Sequence, residues 1–324
     1  MGSAQAGDAL NLPTPEQRQA FRRPNVVPSP ADNPTTPEKV ALGRALFFDR
    51  RLSASGQLSC AACHNPSLSW QDGLPTGIGH MGARLPRRTP SVLDIAWTEP
   101  LFWDGRAATL EEQAKGPLSG AAEMNMAPAR LQAQVRADPA YVRSFKAAFP
   151  GQPIDVDTIA KALAAFERTV VSGQAPFDRW LAGDPTAISP AAQRGFVLFT
   201  GKASCAQCHS SWRFTDDGFR DIGLADADPG RGKIVPGLPI LDHAFKTPSL
   251  RNVAERAPYM HDGSLATLEA VVDHYDHEFV RRPSLAVQMK LLGLTREERA
   301  DLVDFMRTLS SDDPPAAPTK RPTG

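Results

Sequence analysis

Apolar residues recur at helical spacing in several separated stretches of this chain. Ile159, Leu163, Phe166 and Val170 fall three or four residues apart, which predicts a helix within 155–171 with one buried face. Val40, Leu42, Leu46 and Phe47 predict another, opened by Thr36-Pro37-Glu38. There Thr is the cap, and Pro stands at the first position, where its missing N–H costs nothing. Ser189-Pro190 opens a third in the same way, with Phe196, Leu198 and Phe199 on its apolar side. Helical patterning also marks 109–115, 128–148, 265–276 and 295–309, while 65–105 is Gly-rich and loop-like. The fold class is therefore mostly α, with helices joined by long irregular loops.

Residues 1–35 are Pro- and polar-rich and predict an arm on the surface; Asp312 to Gly324 predict a disordered tail. Gly183-Asp184-Pro185 is the candidate linker, dividing the chain into domains at 36–183 and 184–311. An internal repeat supports two related domains. Thr89-Pro90-Ser91 recurs as Thr247-Pro248-Ser249, Trp103-Asp104-Gly105 as His261-Asp262-Gly263, and Ala108-Thr109-Leu110-Glu111 as Ala266-Thr267-Leu268-Glu269, all at one offset of 158 (247 − 89).

Ahead of each repeated block stands a Cys-x-x-Cys-His motif, Cys60-Ala61-Ala62-Cys63-His64 and Cys205-Ala206-Gln207-Cys208-His209. Each reads as a c-type haem attachment site: two thiols add to the vinyl groups of one haem, and the His supplies an axial nitrogen. The alternative is one structural zinc held by four thiolates, which leaves the His after each second Cys unexplained. The motifs are 145 residues apart (205 − 60), so the second copy carries a loop 13 residues longer (158 − 145) between haem and Thr-Pro-Ser. The expected architecture is two cytochrome c-like helical domains, each with one covalently bound haem c.

Composition narrows the partners. With 36 basic and 36 acidic residues, no net field favours nucleic acid or a membrane surface, and no apolar run is long enough to span a bilayer. Thirty prolines and 24 glycines suit stiff loops that wrap a flat cofactor. Met1-Gly2-Ser3 reads as an expression scar with no signal peptide after it. Because covalent haem attachment belongs to the periplasmic side in bacteria, the expectation is an exported, periplasmic chain.

The two distal sides differ. Tyr275 follows the second Asp-Gly turn on a helix, where it can close an iron; at the same offset the first copy has Pro117, which has no donor atom. One haem is thus expected to be closed and one open. Tyr275 is otherwise an ordinary half-buried helix tyrosine. Near the open site lie Gln113 and Glu123, and a carboxylate there can move a proton between the two peroxide oxygens; otherwise Glu123 is a solvated loop acid. His80 is a candidate displaceable ligand, with Met81 competing beside it, or a loop His bonded to backbone. Trp103 is a candidate relay between the haems, or interface packing.

Residues 36–310 resemble the bacterial di-haem cytochrome c peroxidases and their MauG-type relatives. The resemblance rests on Leu42-Gly43-Arg44-Ala45-Leu46-Phe47, Phe102-Trp103-Asp104-Gly105-Arg106, Gln113 to Pro117, Glu123-Met124-Asn125 and Lys246-Thr247-Pro248-Ser249-Leu250-Arg251-Asn252. It implies that His64 is the proximal ligand of the peroxide-reactive haem and His209 that of the electron-transfer haem. Trp103 matches the tryptophan between haems, and Gln113, Pro117 and Glu123 match the distal pocket. His80 matches the ligand that ordinary peroxidases release on reduction. Those peroxidases have Met at the place of Tyr275, and MauG-type enzymes have Tyr. A phenolate stabilises ferric iron, so the resemblance is closer to the MauG branch. The family's calcium is doubtful here, because Arg88 and Arg256 stand at the matching ligand positions and Ca²⁺ takes oxygen ligands; the arginines are expected to bond haem propionates or nearby acids.

The expected activity is reaction of hydrogen peroxide at the His64 haem, with oxidising equivalents stored over both haems to oxidise a partner, for instance an aromatic residue of a protein substrate. The alternative in the family is a peroxidase fed by a small cytochrome or copper protein. From another class, the alternative is a plain di-haem electron carrier.

Overall fold

The computed structural model describes residues 13–277 and 279–311. The expected tail from Asp312 lies outside the described residues, as does the start of the arm.

Eleven helices account for most of the regular structure described: α1 Pro15–Ala20, α2 Pro37–Phe47, α3 Cys60–Cys63, α4 Leu110–Ser119, α5 Pro128–Arg136, α6 Pro139–Ala148, α7 Val156–Glu167, α8 Pro176–Ala182, α9 Pro190–Thr200, α10 Leu268–Asp276 and α11 Arg296–Arg307. The one described sheet is a two-residue antiparallel pair, β1 Phe219–Arg220 and β2 Phe245–Lys246. Thr36 caps α2 as its sequence predicts, and Ser189 caps α9.

Each half is built on one close helix crossing. In the first, α2 lies on α7 so tightly that a Cβ on Gly43 would sit 1.9 Å from the Ala162 carbonyl oxygen. In the second, α9 lies on α11, and a Cβ on Gly195 would sit 2.0 Å from the Asp301 carbonyl oxygen. Glycine is required at both because nothing larger lets the backbones meet. Around these crossings grow two cores. Leu42, Leu46, Phe47, Ile159, Leu163 and Phe166 build the first. Phe177, Trp180, Phe196, Phe199, Phe214 and Phe305 form an aromatic cluster at the centre of the second, with Leu, Val and Ile side chains around it.

Several boundaries differ from the sequence pattern. The single segment at 128–148 is two helices, because Pro139 cannot continue α5 and Asp138 caps a new start. The segment at 109–115 runs on to Ser119, through Pro117. The arm is not confined to the surface: α1 delivers Phe21, 4% exposed, into the second core against Phe196 and Phe214. Phe177 and Trp180 of α8 also pack there, whereas Val170 belongs to the first core. The change of core thus falls upstream of Gly183, which serves as a left-handed cap ending α8.

The repeat is visible in the backbone. Bridges pair Leu101 with Ala107 and, 158 residues on (259 − 101), Tyr259 with Leu265. The Asp-Gly turns they enclose are pressed reciprocally against the opposite halves. Gly105, at φ +70°, leaves 2.4 Å between a would-be Cβ and Phe219; Gly263, at φ +67°, leaves 2.4 Å to Pro75. The longer loop of the second copy makes this contact. From it Asp228 takes Arg87 Nε at 2.7 Å, Arg87 also holds Asp104 at 2.6 Å, and Arg231 donates to the Asp104 carbonyl at 2.9 Å.

Candidate active site

The first Cys-x-x-Cys forms the single turn α3, in which His64 N–H donates to the Cys60 carbonyl at 2.8 Å. In the second motif His209 N–H donates to the Cys205 carbonyl at 2.9 Å. Both histidines therefore follow directly on the turn that carries the thiols. His209 Nδ1 lies 2.8 Å from the Phe214 carbonyl and His64 Nδ1 3.4 Å from that of Trp70. A carbonyl only accepts, so each proton sits on Nδ1 and each Nε2 keeps a free lone pair for a metal. Burial pushes both imidazoles below their usual value, which keeps them neutral.

Four-thiolate zinc is overturned by this placement. Cys60 packs against the first core and Cys205 against the second, and no described cluster of His, Cys, Asp or Glu has the make-up of a metal site. None of the four cysteines forms a disulfide. Burial raises the thiols, Cys63 to about 11 and Cys205 to about 12, which keeps them neutral thiols.

A cavity of about 860 Å³ opens over the first motif. Cys60, Cys63 and His64 line one side; Gln113, Pro117 and Glu123 line it as well, with Trp103 at the junction of the halves. The expected distal residues and the expected proximal ligand thus share one largely apolar space, of the size and lining that suit haem. α4 supplies Gln113 and Pro117. Glu123 follows in a tight loop where its N–H donates to the Gly120 carbonyl at 2.9 Å. Burial raises the Glu123 carboxyl above its usual value, against a pull downward from Arg106. The residue is half-buried. The Trp103 indole N–H donates to the Arg88 carbonyl at 2.9 Å, and its ring lies 6.4 Å from that of His261, its counterpart in the repeat.

His80 does not line this cavity, although its neighbour Gly79 does. Its N–H donates to the Ala122 carbonyl at 3.0 Å, latching its loop to that of Glu123, and its Nδ1 is buried without a partner. Met81 is 84% exposed and points away from a ligand's role. On the second side, α10 carries Tyr275, whose phenol is raised by burial and by the field of Cys205 and Cys208. Its hydroxyl makes no hydrogen bond with a described residue, and the second attachment motif is near enough for its thiols to act on it. The residues present fit haem c at both places.

Arg88 and Arg256, the positions that the resemblance gives to calcium ligands, carry cationic side chains, whereas Ca²⁺ takes oxygen donors. Both guanidinium groups are buried, and neither forms an ion pair with a described acid, although the fields of Asp72 and Asp94 reach them.

Glu167 escaped the sequence reading. It ends α7 with 6% exposure, lines the cavity beside His64, and burial pushes its carboxyl up to about 8. The signal was present: Glu167 follows Leu163 by four residues, so it stands on that helix's apolar stripe.

The di-haem cytochrome c peroxidase family matches residues 37–186, and the cytochrome c family matches residues 192–310. The methylamine utilization protein MauG of Methylorubrum extorquens is 53% identical over 322 residues, spanning 98% of this chain and 91% of the relative. This chain belongs to the di-haem cytochrome c peroxidase and MauG family. The cytochrome c551 peroxidase of Pseudomonas aeruginosa, another member, is 32% identical over 94% of this chain and 86% of its own length. Among solved structures, a MauG-like protein associated with microbial copper homeostasis superposes with a TM-score of 0.82 at 37% identity. It covers 92% of this chain and 97% of its own. As a member of the family the chain is an oxidoreductase of the di-haem peroxidase type, and its two cytochrome c units imply two covalent haem c groups. No described helix is long and apolar enough to cross a membrane.

Proposed function

We propose that this protein is a periplasmic, MauG-type member of the family that uses hydrogen peroxide to oxidise a partner protein. The observation that carries the reading is the unequal pair on equivalent helices: Tyr275 stands within the field of the second attachment motif, at the position where Pro117 lines the cavity over the first. His64 would hold one haem, with Pro117 offering it no second donor, and His209 with Tyr275 would hold the other. When bound, the first haem supplies an iron that accepts peroxide, and the pair stores the oxidising equivalents delivered. Glu123, raised by burial, takes a proton from one peroxide oxygen and returns it to the departing one. Gln113 orients the peroxide from the same wall. Trp103, fixed by its bond to the Arg88 carbonyl, bridges the halves.

Stopped-flow mixing of the fully ferric protein with one equivalent of peroxide tests this. Rapid spectral change at both haems without prior reduction is the expected result; a requirement for reduction of one haem first would overturn it. That second outcome would favour a peroxidase fed by a small cytochrome or copper protein. The observation on its side is the His80 loop, latched beside Glu123 with one imidazole nitrogen unpartnered. Two low-spin haems inert to peroxide would mark a plain electron carrier.

A further inference from the structure

Between the halves lies a second, smaller cavity of about 110 Å³, lined by Arg88, Arg256 and Lys246. The three are 7%, 9% and 8% exposed, and none forms an ion pair with a described carboxylate. Arg88 and Arg256 each keep a buried Nε without a partner. Their other bonds go to neutral oxygens: Arg88 to the Gln71 side chain at 3.2 Å and to the Arg256 carbonyl, Arg256 to the Ser249 carbonyl. The acids nearby do not bond these groups. Asp217 is held by Arg213, and Asp94 and Asp72, whose fields reach Arg256 and Arg88, accept instead from the Ser172 and Thr89 hydroxyls.

Three buried cations facing one space are costly unless anions enter it. Pro90 and Pro248, whose backbones lie beside the His64 and His209 imidazoles, line the same cavity. The space shares His64, Arg88, Trp103 and Gln113 with the larger cavity over the first motif, so it adjoins that haem site, and through Pro248 it reaches the histidine of the second. Haem c carries two carboxylates, on the edge away from its thioether bonds. We propose that Arg88, Arg256 and Lys246 form one carboxylate-binding cradle between the halves that takes propionates of both haems. The proposal rests on the two-haem reading of the chain. The same charges exclude a divalent cation from this space. They also couple the haems, because a cation beside a propionate favours the reduced, less positive iron.

The test is a reductive titration of Arg256→Gln holoprotein, followed optically at both haems at fixed pH. Both midpoint potentials fall, Arg256→Lys restores most of the drop, and EDTA moves neither potential in the parent protein. Potentials unmoved at both haems, with the unfolding midpoint intact, would overturn the cradle, and so would a shift confined to one haem. Stoichiometric calcium whose removal by EDTA shifts the potentials would do the same. Should Arg256→Gln fail to fold, Arg88→Gln and Lys246→Met carry the same readout. A pyridine haemochrome count below two haems per chain would instead overturn the two-haem reading itself.

Discussion

Tyr275 and Pro117 hold the same place on two copies of one helix. Thr267 and Thr109 cap α10 and α4 with hydrogen bonds of 3.1 and 3.2 Å, and each residue follows its cap by eight positions (275 − 267, 117 − 109). One copy presents a phenol and the other a ring without donor or acceptor. Tyr275→Phe therefore changes the ferric spectrum of the second haem to that of an open or differently ligated iron, read by optical and EPR spectroscopy. The first haem's spectrum stays as it was. A second-haem spectrum indistinguishable from the parent's would remove Tyr275 from the iron.

Glu123→Gln keeps the shape of the distal wall and removes its proton carrier. Formation of the peroxide-oxidised protein slows by about 10²–10⁴, the usual contribution of a positioned acid–base group, while the concentration dependence of peroxide binding changes little. Single-turnover stopped-flow separates the two steps. Slowing of binding alone would assign Glu123 a steric role.

The helix crossings set a stability prediction. A methyl at Gly195 has no room beside the Asp301 carbonyl, so Gly195→Ala forces α9 off α11 and costs about 1–3 kcal/mol. The midpoint of urea unfolding reports it. Gly151, with nothing near its would-be Cβ but φ at +74°, loses stability on substitution through backbone strain alone, so it serves as a control that leaves the cores untouched.

Glu167 predicts a pH dependence. Its folded-state value is pushed up to about 8, above the roughly 4.3 of an unfolded glutamate, so the folded protein binds the proton more tightly. Its contribution to stability is full below the unfolded value and is lost as pH rises toward about 8. Thermal unfolding of the holoprotein between pH 5 and about 8 should show this decline, and Glu167→Gln should flatten it. Parallel curves for the two proteins would refute the assignment.

Much of this molecule was legible because covalent chemistry and helix periodicity leave local marks. The haem motifs, the Thr36 and Ser189 caps and the repeat all depend on residues close together in the chain. The Tyr275–Pro117 contrast was readable because a duplication lets one half serve as the ruler for the other. What escaped depends on distant partners. Phe21 enters the second core from an arm whose composition is polar, and nothing near it in sequence announces the aromatic ring it meets. Phe177 and Trp180 cross to the second core before the Gly-Asp-Pro that marks a break in composition. Burial of Arg88 with Arg256 follows from how the halves meet, which no local pattern encodes, whereas that of Glu167 follows from its place on the apolar stripe of α7.

The longer loop of the second copy has an effect beyond holding the halves together. Its residues Asp228, Pro229, Lys233 and Ile234 form part of the wall around the first haem's cavity. Recombination that replaced the C-terminal repeat with a relative's would carry off a side of the reactive pocket encoded in the other. Two copies that began as equals have thereby become a single heritable unit, in which neither can drift or be exchanged without the other's consent.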